Sequence, residues 1–242
     1  MYEFPFELDD FQKDACRCIT DGKSVVVCAP TGAGKTVIAQ HAIHCALEQG
    51  KKVFYTTPLK ALSNQKYNDF SEKYGIDKVG LLTGDTSINR GAQIVVMTTE
   101  VFRNMLYGTN FGSVTDNLKD VKYVILDEVH YMNDEQRGTV WEGSIIYCPT
   151  NVQIVALSAT VANADKLTEW INTVHSRTEL INTDFRPVPL RFYYFDSSQP
   201  NTLLPLLTPN GTLNKKIKPE KKEFKRGKAV QKRNTVKDVV RN

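Results

Sequence analysis

The sequence predicts an α/β fold in which a mostly parallel sheet carries helices on both faces. Three observations lead there. Short β-branched runs, Val25–Ala29 first among them, are apolar at every position, as strands buried on both faces are. These runs alternate with segments that repeat apolar residues at helical spacing. The chemically loaded motifs stand directly after such runs, at the strand ends where sheets of this kind collect their sites.

Residues 1–23 read as an extended lead-in and a helix over Asp9–Thr20, capped by Asp9 or Asp10. Val25–Ala29 leads through a tight glycine turn into a helix that starts near Thr36. Lys52–Thr57 is the next strand, ended by Pro58. Leu59–Tyr74 is a loop into a helix with Leu59, Leu62, Tyr67 and Phe70 as its apolar stripe. Val79–Leu82 and Ile94–Met97 are short strands, Glu100–Tyr107 a helix, and Val121–Leu126 another strand. Gln153–Leu157, a helix over Ala164–Val174 and a last strand at Glu179–Asn182 complete the rhythm, which fades from Arg186 onward. Right-handed crossovers then bring the strand ends to one edge.

The 242 residues, 41% hydrophobic, suffice for a sizeable core, and no run is long and apolar enough to span a membrane. The acidic, aromatic start Met1–Asp10 is unlike a signal or transit peptide. Five cysteines without Cys-x-x-Cys spacing argue against a disulfide framework or a structural zinc site and point to a reducing compartment. The net charge of +4 is unevenly spread. Residues 212–242 hold 12 Lys+Arg against 3 Asp+Glu, which leaves 19 basic and 24 acidic residues in the remainder. Such a tail suits a nucleic-acid backbone or a solvated linker.

Two motifs carry the chemistry. Pro30, Thr31, Gly32, Ala33, Gly34, Lys35 and Thr36 lie between a strand and a helix, the order that builds a phosphate cradle from loop amides and a helix N-terminus. Lys35 is placed to reach the β- and γ-phosphates and the Thr36 hydroxyl to hold Mg²⁺. The strict pattern opens with Gly, and here that position is Ala29. The second motif ends the apolar run Val121–Leu126 with Asp127 and Glu128, suited to holding a metal ion's water and to orienting an attacking water, respectively. His41, His44 and Cys45 share a helix at i, i+3, i+4 spacing; a helix after a phosphate loop packs on its sheet, so we read them as structural rather than as metal ligands. Trp141 and Trp170 read as core or interface residues.

Together these motifs resemble the superfamily-two helicases. Asp127–His130 is a DExH box, and Ser158, Ala159 and Thr160 form the short motif that follows it there. The stretch from His130 to Glu142 is similar to the signature of superkiller-type RNA helicases, nearest to the DEVH-box branch of chloroplasts and cyanobacteria. Thr57–Gln65, Leu82–Asp85, Met97–Glu100 and Arg186–Leu190 are also similar to that family. The resemblance implies a RecA-like P-loop NTPase domain that binds ATP and Mg²⁺, the metal at Thr36 and Asp127. It implies that Phe4 or Phe6 stacks on adenine and Gln12 bonds its edge, and that His130 links hydrolysis to Ser158–Thr160. It assigns contacts with one nucleic-acid strand to Pro58, Lys60, Gly84, Asp85, Thr98 and Thr99; for the two threonines taken alone helix capping is the stronger reading, and both roles can hold. Arg137 and Glu142 belong by the same likeness to a salt-bridge scaffold.

The domain organisation expected is an ATP-binding domain over 1–190, an exit segment over 191–211, and a basic linker over 212–242 that opens a second RecA-like domain of the same polypeptide. Without that domain's arginine fingers, worth about 10³–10⁵ in rate, this chain is expected to bind nucleotide and hydrolyse it slowly. The implied function is the first motor domain of an ATP-dependent RNA helicase, in the cytoplasm or the plastid stroma. A DNA helicase of the same superfamily and a nucleotide-dependent RNA-binding module remain as alternatives.

Overall fold

The computed structural model describes residue 2 and residues 4–108, 117–133, 138–195 and 203–217. Arg137 and most of the basic tail, residues 218–242, lie outside the described residues. The chain divides into two compact units, Met1–Arg186 and Pro187–Asn242.

The first unit is built on eight strands: β1 Ser24–Cys28, β2 Lys52–Thr57, β3 Val79–Leu82, β4 Ser87–Ile88, β5 Ile94–Thr98, β6 Val121–Asp127, β7 Gln153–Ser158 and β8 Thr178–Asn182. Their order across the sheet is β4-β3-β5-β2-β6-β7-β1-β8, and only the β3–β4 pairing is antiparallel. The helices are α1 Asp10–Thr20, α2 Lys35–Glu48, α3 Lys60–Tyr74, α4 Thr99–Leu106, α5 Gly138–Ile146 and α6 Ala164–Val174.

The uninterrupted apolar runs are explained by two cores, one on each face. Val25, Val27, Tyr55, Val96, Ile125 and Val155 point to one side and pack with α1, α2 and α3. Their neighbours in sequence, Val26, Cys28, Phe54, Met97, Leu126 and Ala156, point to the other and pack with α4, α5 and α6. Helix α2 lies close on the sheet because its buried side includes Ala39, Ala42 and Ala46 between Ile38 and Ile43. Helix α1 starts at Asp9, whose N–H donates to Gln12 Oε1 at 2.9 Å, half of a capping box.

Every strand and helix expected from the sequence is present within a residue or two of its expected bounds. Among the described residues of the first unit, three elements were not expected. Strand β4 is a two-residue edge. A 3-10 turn over Val129–Asn133 follows β6. Helix α5 carries two glycines that hide it, yet it buries Val140, Trp141, Ser144 and Ile145 at helical spacing. Of the stripe foreseen on α3, only Phe70 is fully buried; Ser63 takes the remaining interior place, its hydroxyl 2.7 Å from that of Thr57. Trp141 is a core residue, and Trp170 packs partly buried against the same core. His41 is wholly buried between α1 and α2, with Nε2 3.1 Å from Thr20 Oγ1 and 3.5 Å from Cys45 Sγ, which is a packing role.

In the second unit, the strands β9 Tyr193–Phe195 and β10 Leu203–Pro205 form an antiparallel pair. No helix of the described residues is long and apolar enough to cross a membrane.

Candidate nucleotide and nucleic-acid site

The strand registers align the motifs along one edge of the sheet. Cys28, which leads into the phosphate loop, pairs with Ser158, and Leu157 pairs with Asp127. Leu126 pairs with Thr56, Thr57 with Thr98, and Met97 with Leu82. One half of the edge, from β1, β7 and β6, therefore carries the loop, Ser158–Thr160 and Asp127–His130. The other half, from β2, β5 and β3, carries Pro58 and Lys60, Thr98 and Thr99, and Gly84 and Asp85.

The phosphate loop has the shape its glycines permit. Gly32 and Gly34 sit at φ +85° and +87°, a region costly for residues with a Cβ. A Cβ on Gly34 would also come within 2.7 Å of Gln12 Nε2. That amide donates to the Gly34 carbonyl at 3.2 Å, so Gln12 braces the loop as well as capping α1. Helix α2 opens at Gly34 with no side-chain cap and no acid in its first turn. Its first amides and its positive end thus remain available, which fits an anionic phosphate group.

Cations close around the loop. Lys35 Nζ donates to the carbonyls of Ala29 (2.8 Å) and Pro30 (3.1 Å). Arg186 Nη1 donates to the Thr31 carbonyl at 2.9 Å. Burial pulls the Lys35 ammonium below its ordinary 10.5, and the carboxylates of Glu128 and Asp127 oppose that shift.

Both carboxylates are held in defined positions. Tyr55 Oη, from β2, donates to Asp127 Oδ2 at 2.5 Å, and the Glu128 N–H donates to Asp127 Oδ1 at 3.0 Å. Burial first, and then the Asp127 charge, push the Tyr55 phenol well above its ordinary value, so it stays a neutral donor. Glu128 has φ +60°, an uncommon conformation for a residue with a Cβ. His130 Nδ1 lies 3.3 Å from Glu128 Oε2 and accepts the Ala159 N–H at 3.3 Å. The amide needs a lone pair on Nδ1 and the carboxylate needs a proton there, so the imidazole serves one partner at a time. His130, Ser158 and the exposed Glu142 also line one cavity with Trp170.

For a metal ion, the Thr36 hydroxyl and the Asp127 carboxylate supply hard oxygen donors of the kind Mg²⁺ takes. At the N-terminal segment, Phe4 packs against Tyr2 and Phe6, Tyr2 stacks on His44, and Phe6 is 52% exposed.

On the other half of the edge, Lys60 Nζ and Asp85 Oδ2 pair at 2.5 Å, and Thr83 Oγ1 donates to Asp85 Oδ1 at 2.9 Å. Gly84 between them is exposed. Thr98 occupies the N-cap position of α4 without a side-chain cap bond. The Thr99 hydroxyl is buried and donates to the Thr57 carbonyl at 3.1 Å, so it ties the start of α4 to the end of β2. Pro58 is buried at the start of the same loop. Tyr55 and Lys66 were not singled out in the sequence; Lys66 Nζ, from α3, lies 3.4 Å from Thr36 Oγ1.

Comparison with known proteins agrees with this geometry. The sequence pattern of the DEAD/DEAH box helicases matches residues 9–167. The chain is 51% identical over 216 residues to the DExH-box ATP-dependent RNA helicase DExH15, chloroplastic, of Arabidopsis thaliana, covering 88% of this chain and 18% of that protein. It is 54% identical over 188 residues to the probable helicase HelY of Mycobacterium tuberculosis, covering 78% and 20%. It is 49% identical over 194 residues to the exosome RNA helicase MTR4 of Homo sapiens, covering 80% and 18%. The chain thus spans about a fifth of the length of these relatives. Among solved structures, the DUF1998 helicase MrfA bound to DNA and AMPPNP shares the fold with a TM-score of 0.62 at 24% identity, over 76% of this chain and 28% of that one.

Proposed function

The chain belongs to the DEAD/DEAH box helicase family, and from that premise we propose that it is the first motor domain of an ATP-dependent RNA helicase. ATP sits on the loop of Pro30, Thr31, Gly32, Ala33, Gly34, Lys35 and Thr36, with Phe4 or Phe6 and Gln12 toward the adenine. Thr36 and Asp127 would hold Mg²⁺, which would supply charge neutralisation at the phosphates. Glu128 orients the attacking water and takes up its proton. His130 carries the state of Glu128 to the Ala159 amide, and so to Ser158 and Thr160. Pro58, Lys60, Gly84, Asp85, Thr98 and Thr99 face the sugar-phosphate backbone of one RNA strand, contacts that position without reading sequence.

The observation that carries this reading is the shared edge. The phosphate loop, the Asp127–Glu128 pair and His130 lie beside a second strip of loop donors, so one domain can hold nucleotide and strand together. RNA rather than DNA is favoured by the names of the DExH15 and MTR4 relatives. A second RecA-like domain in the same polypeptide supplies the missing arginine fingers and the other half of the cleft. Five free thiols suit a reducing compartment, the cytoplasm or the plastid stroma.

The test is Mg-ATP affinity and turnover of this chain beside Lys35→Ala and Glu128→Gln. Binding lost in the first, kept without turnover in the second, and slow turnover in the parent support a half-motor. RNA-stimulated turnover matching a complete helicase would overturn the need for a partner domain.

A further inference from the structure

Helices α2 and α3 pack along a seam with three polar or aromatic rungs. Tyr74 meets His44, with Oη 3.5 Å from Nε2 and the rings 5.4 Å apart. Lys73 Nζ donates to Gln40 Oε1 at 2.7 Å. Lys66 Nζ reaches Thr36 Oγ1 at 3.4 Å. On α2 the partners are Thr36, Gln40 and His44, each one turn after the last, so the seam runs straight to the N-terminus of α2, where the phosphate loop ends.

The last rung differs from the others in where it lies, at the end of the phosphate loop. Lys66 is half-buried, yet its hydroxyl partner is neutral and distant for a charged donor. Its ammonium also lies 5.7 Å from the centre of the Tyr55 ring, the same ring whose hydroxyl holds Asp127. Among the described residues no carboxylate pairs with Lys66, as none pairs with Lys73 on the same seam. An ammonium held beside the phosphate loop by a neutral hydroxyl alone has hydrogen-bond donors left for an anion. The adjacent groups are the Thr36 hydroxyl and the open end of α2.

We propose that Lys66 is a phosphate-binding residue: its ammonium donates to a phosphate oxygen of the bound nucleotide beside Thr36, as a second lysine opposite Lys35. The inference rests on the nucleotide-site reading above and extends it to a residue outside the loop. Lys35 comes from the loop itself and Lys66 from α3, so the two hold the phosphate chain from separate elements. The nucleotide then also fastens α3 to α2, closing the end of the seam that protein contacts leave loose.

The experiment compares the parent chain with Lys66→Met, Lys66→Arg and Lys73→Met, using Mg-ATP, Mg-ADP and adenosine as probes and the melting temperature as a folding check. Lys66→Met is expected to weaken Mg-ATP and Mg-ADP binding about tenfold, the scale of one charged hydrogen bond, and to leave adenosine unchanged. Lys66→Arg keeps most of the affinity. Lys73→Met, on the same seam one rung away, lowers the melting temperature without a comparable loss of affinity. Unchanged or tighter Mg-ATP binding in Lys66→Met overturns the proposal, as does an equal loss for adenosine. A parent chain that binds Mg-ATP through Lys35 but ignores Lys66 sinks this inference alone. A parent that binds no Mg-ATP sinks the nucleotide reading with it.

Discussion

Tyr55 and Asp127 are joined by a 2.5 Å hydrogen bond across the boundary between the two halves of the functional edge. Tyr55 belongs to β2, which leads to the loop at Pro58 proposed to face the nucleic acid, whereas Asp127 ends β6, two strands from β1 and its glycine loop. Tyr55→Phe removes the donor and keeps the ring that packs on Phe70. A freed Asp127 oxygen can rotate, so the Mg²⁺ concentration for half-maximal ATP turnover should rise several-fold. Stability should fall by about 1 kcal/mol, the net worth of one such bond. A Mg²⁺ titration at fixed ATP reads the first effect and denaturant unfolding the second.

Gly34→Ala meets two obstacles at once. An L-residue at φ +87° costs about 1–2 kcal/mol, and the new Cβ displaces the Gln12 amide from the Gly34 carbonyl. The expected result is a melting temperature lower by about 5 °C and Mg-ATP affinity reduced at least tenfold. Adding Gln12→Ala removes the collision but leaves the dihedral cost. Full recovery in the double variant would show that the backbone conformation is not the constraint.

Lys60 and Asp85 neutralise one another where a nucleic-acid strand is expected to pass. The Lys60 hydrogen bond, then that of Thr83, holds the Asp85 carboxyl below its ordinary 3.8, so it is a carboxylate at neutral pH. Asp85→Asn should tighten single-stranded RNA binding by releasing Lys60 to a phosphate. Lys60→Ala should weaken binding and reduce the slope of log affinity against log salt by about 0.7, one phosphate contact on a single strand. Filter binding over a salt series measures both, and a slope unchanged in Lys60→Ala would remove this residue from the interface.

Much of the fold was legible because parallel strands buried on both faces leave a strong mark: Val25–Val27 and Ile94–Val96 contain no polar residue. The loop and the acid pair were legible for a related reason, since each is a short local pattern at a strand end. What escaped depends on distant partners. Tyr55 looks like one more core aromatic until β6, 72 residues later, places Asp127 against it. Lys66 looks like a solvated helix lysine until α3 folds along α2. Thr99 by itself reads first as a cap, and only the folded β2–β5 pairing sends its hydroxyl inward to Thr57.

Two buried histidines give the domain an acid limit. Burial holds both His41 and His175 below the ordinary 6.5. The unfolded chain therefore binds their protons first as the pH falls. Their stabilising contribution is complete above about pH 6.5 and is lost as the pH drops through the folded-state values. Melting temperature should decline from pH 7 towards pH 5, and the decline should be shallower in His41→Gln and His175→Gln. An unaltered slope in both would assign acid sensitivity to other groups.

The sheet order has a consequence for how the molecule comes into being. Strand β1 pairs with β7 and β8 on its two sides, and both are made long after it. When Ser24–Cys28 leaves the ribosome, neither neighbour yet exists, and more than a hundred further residues must be synthesised before β7 is complete. The glycine loop at the end of β1 therefore has no rigid base until β7 has been synthesised. A nucleotide at this loop would be captured only once β7 and then β8 close around β1.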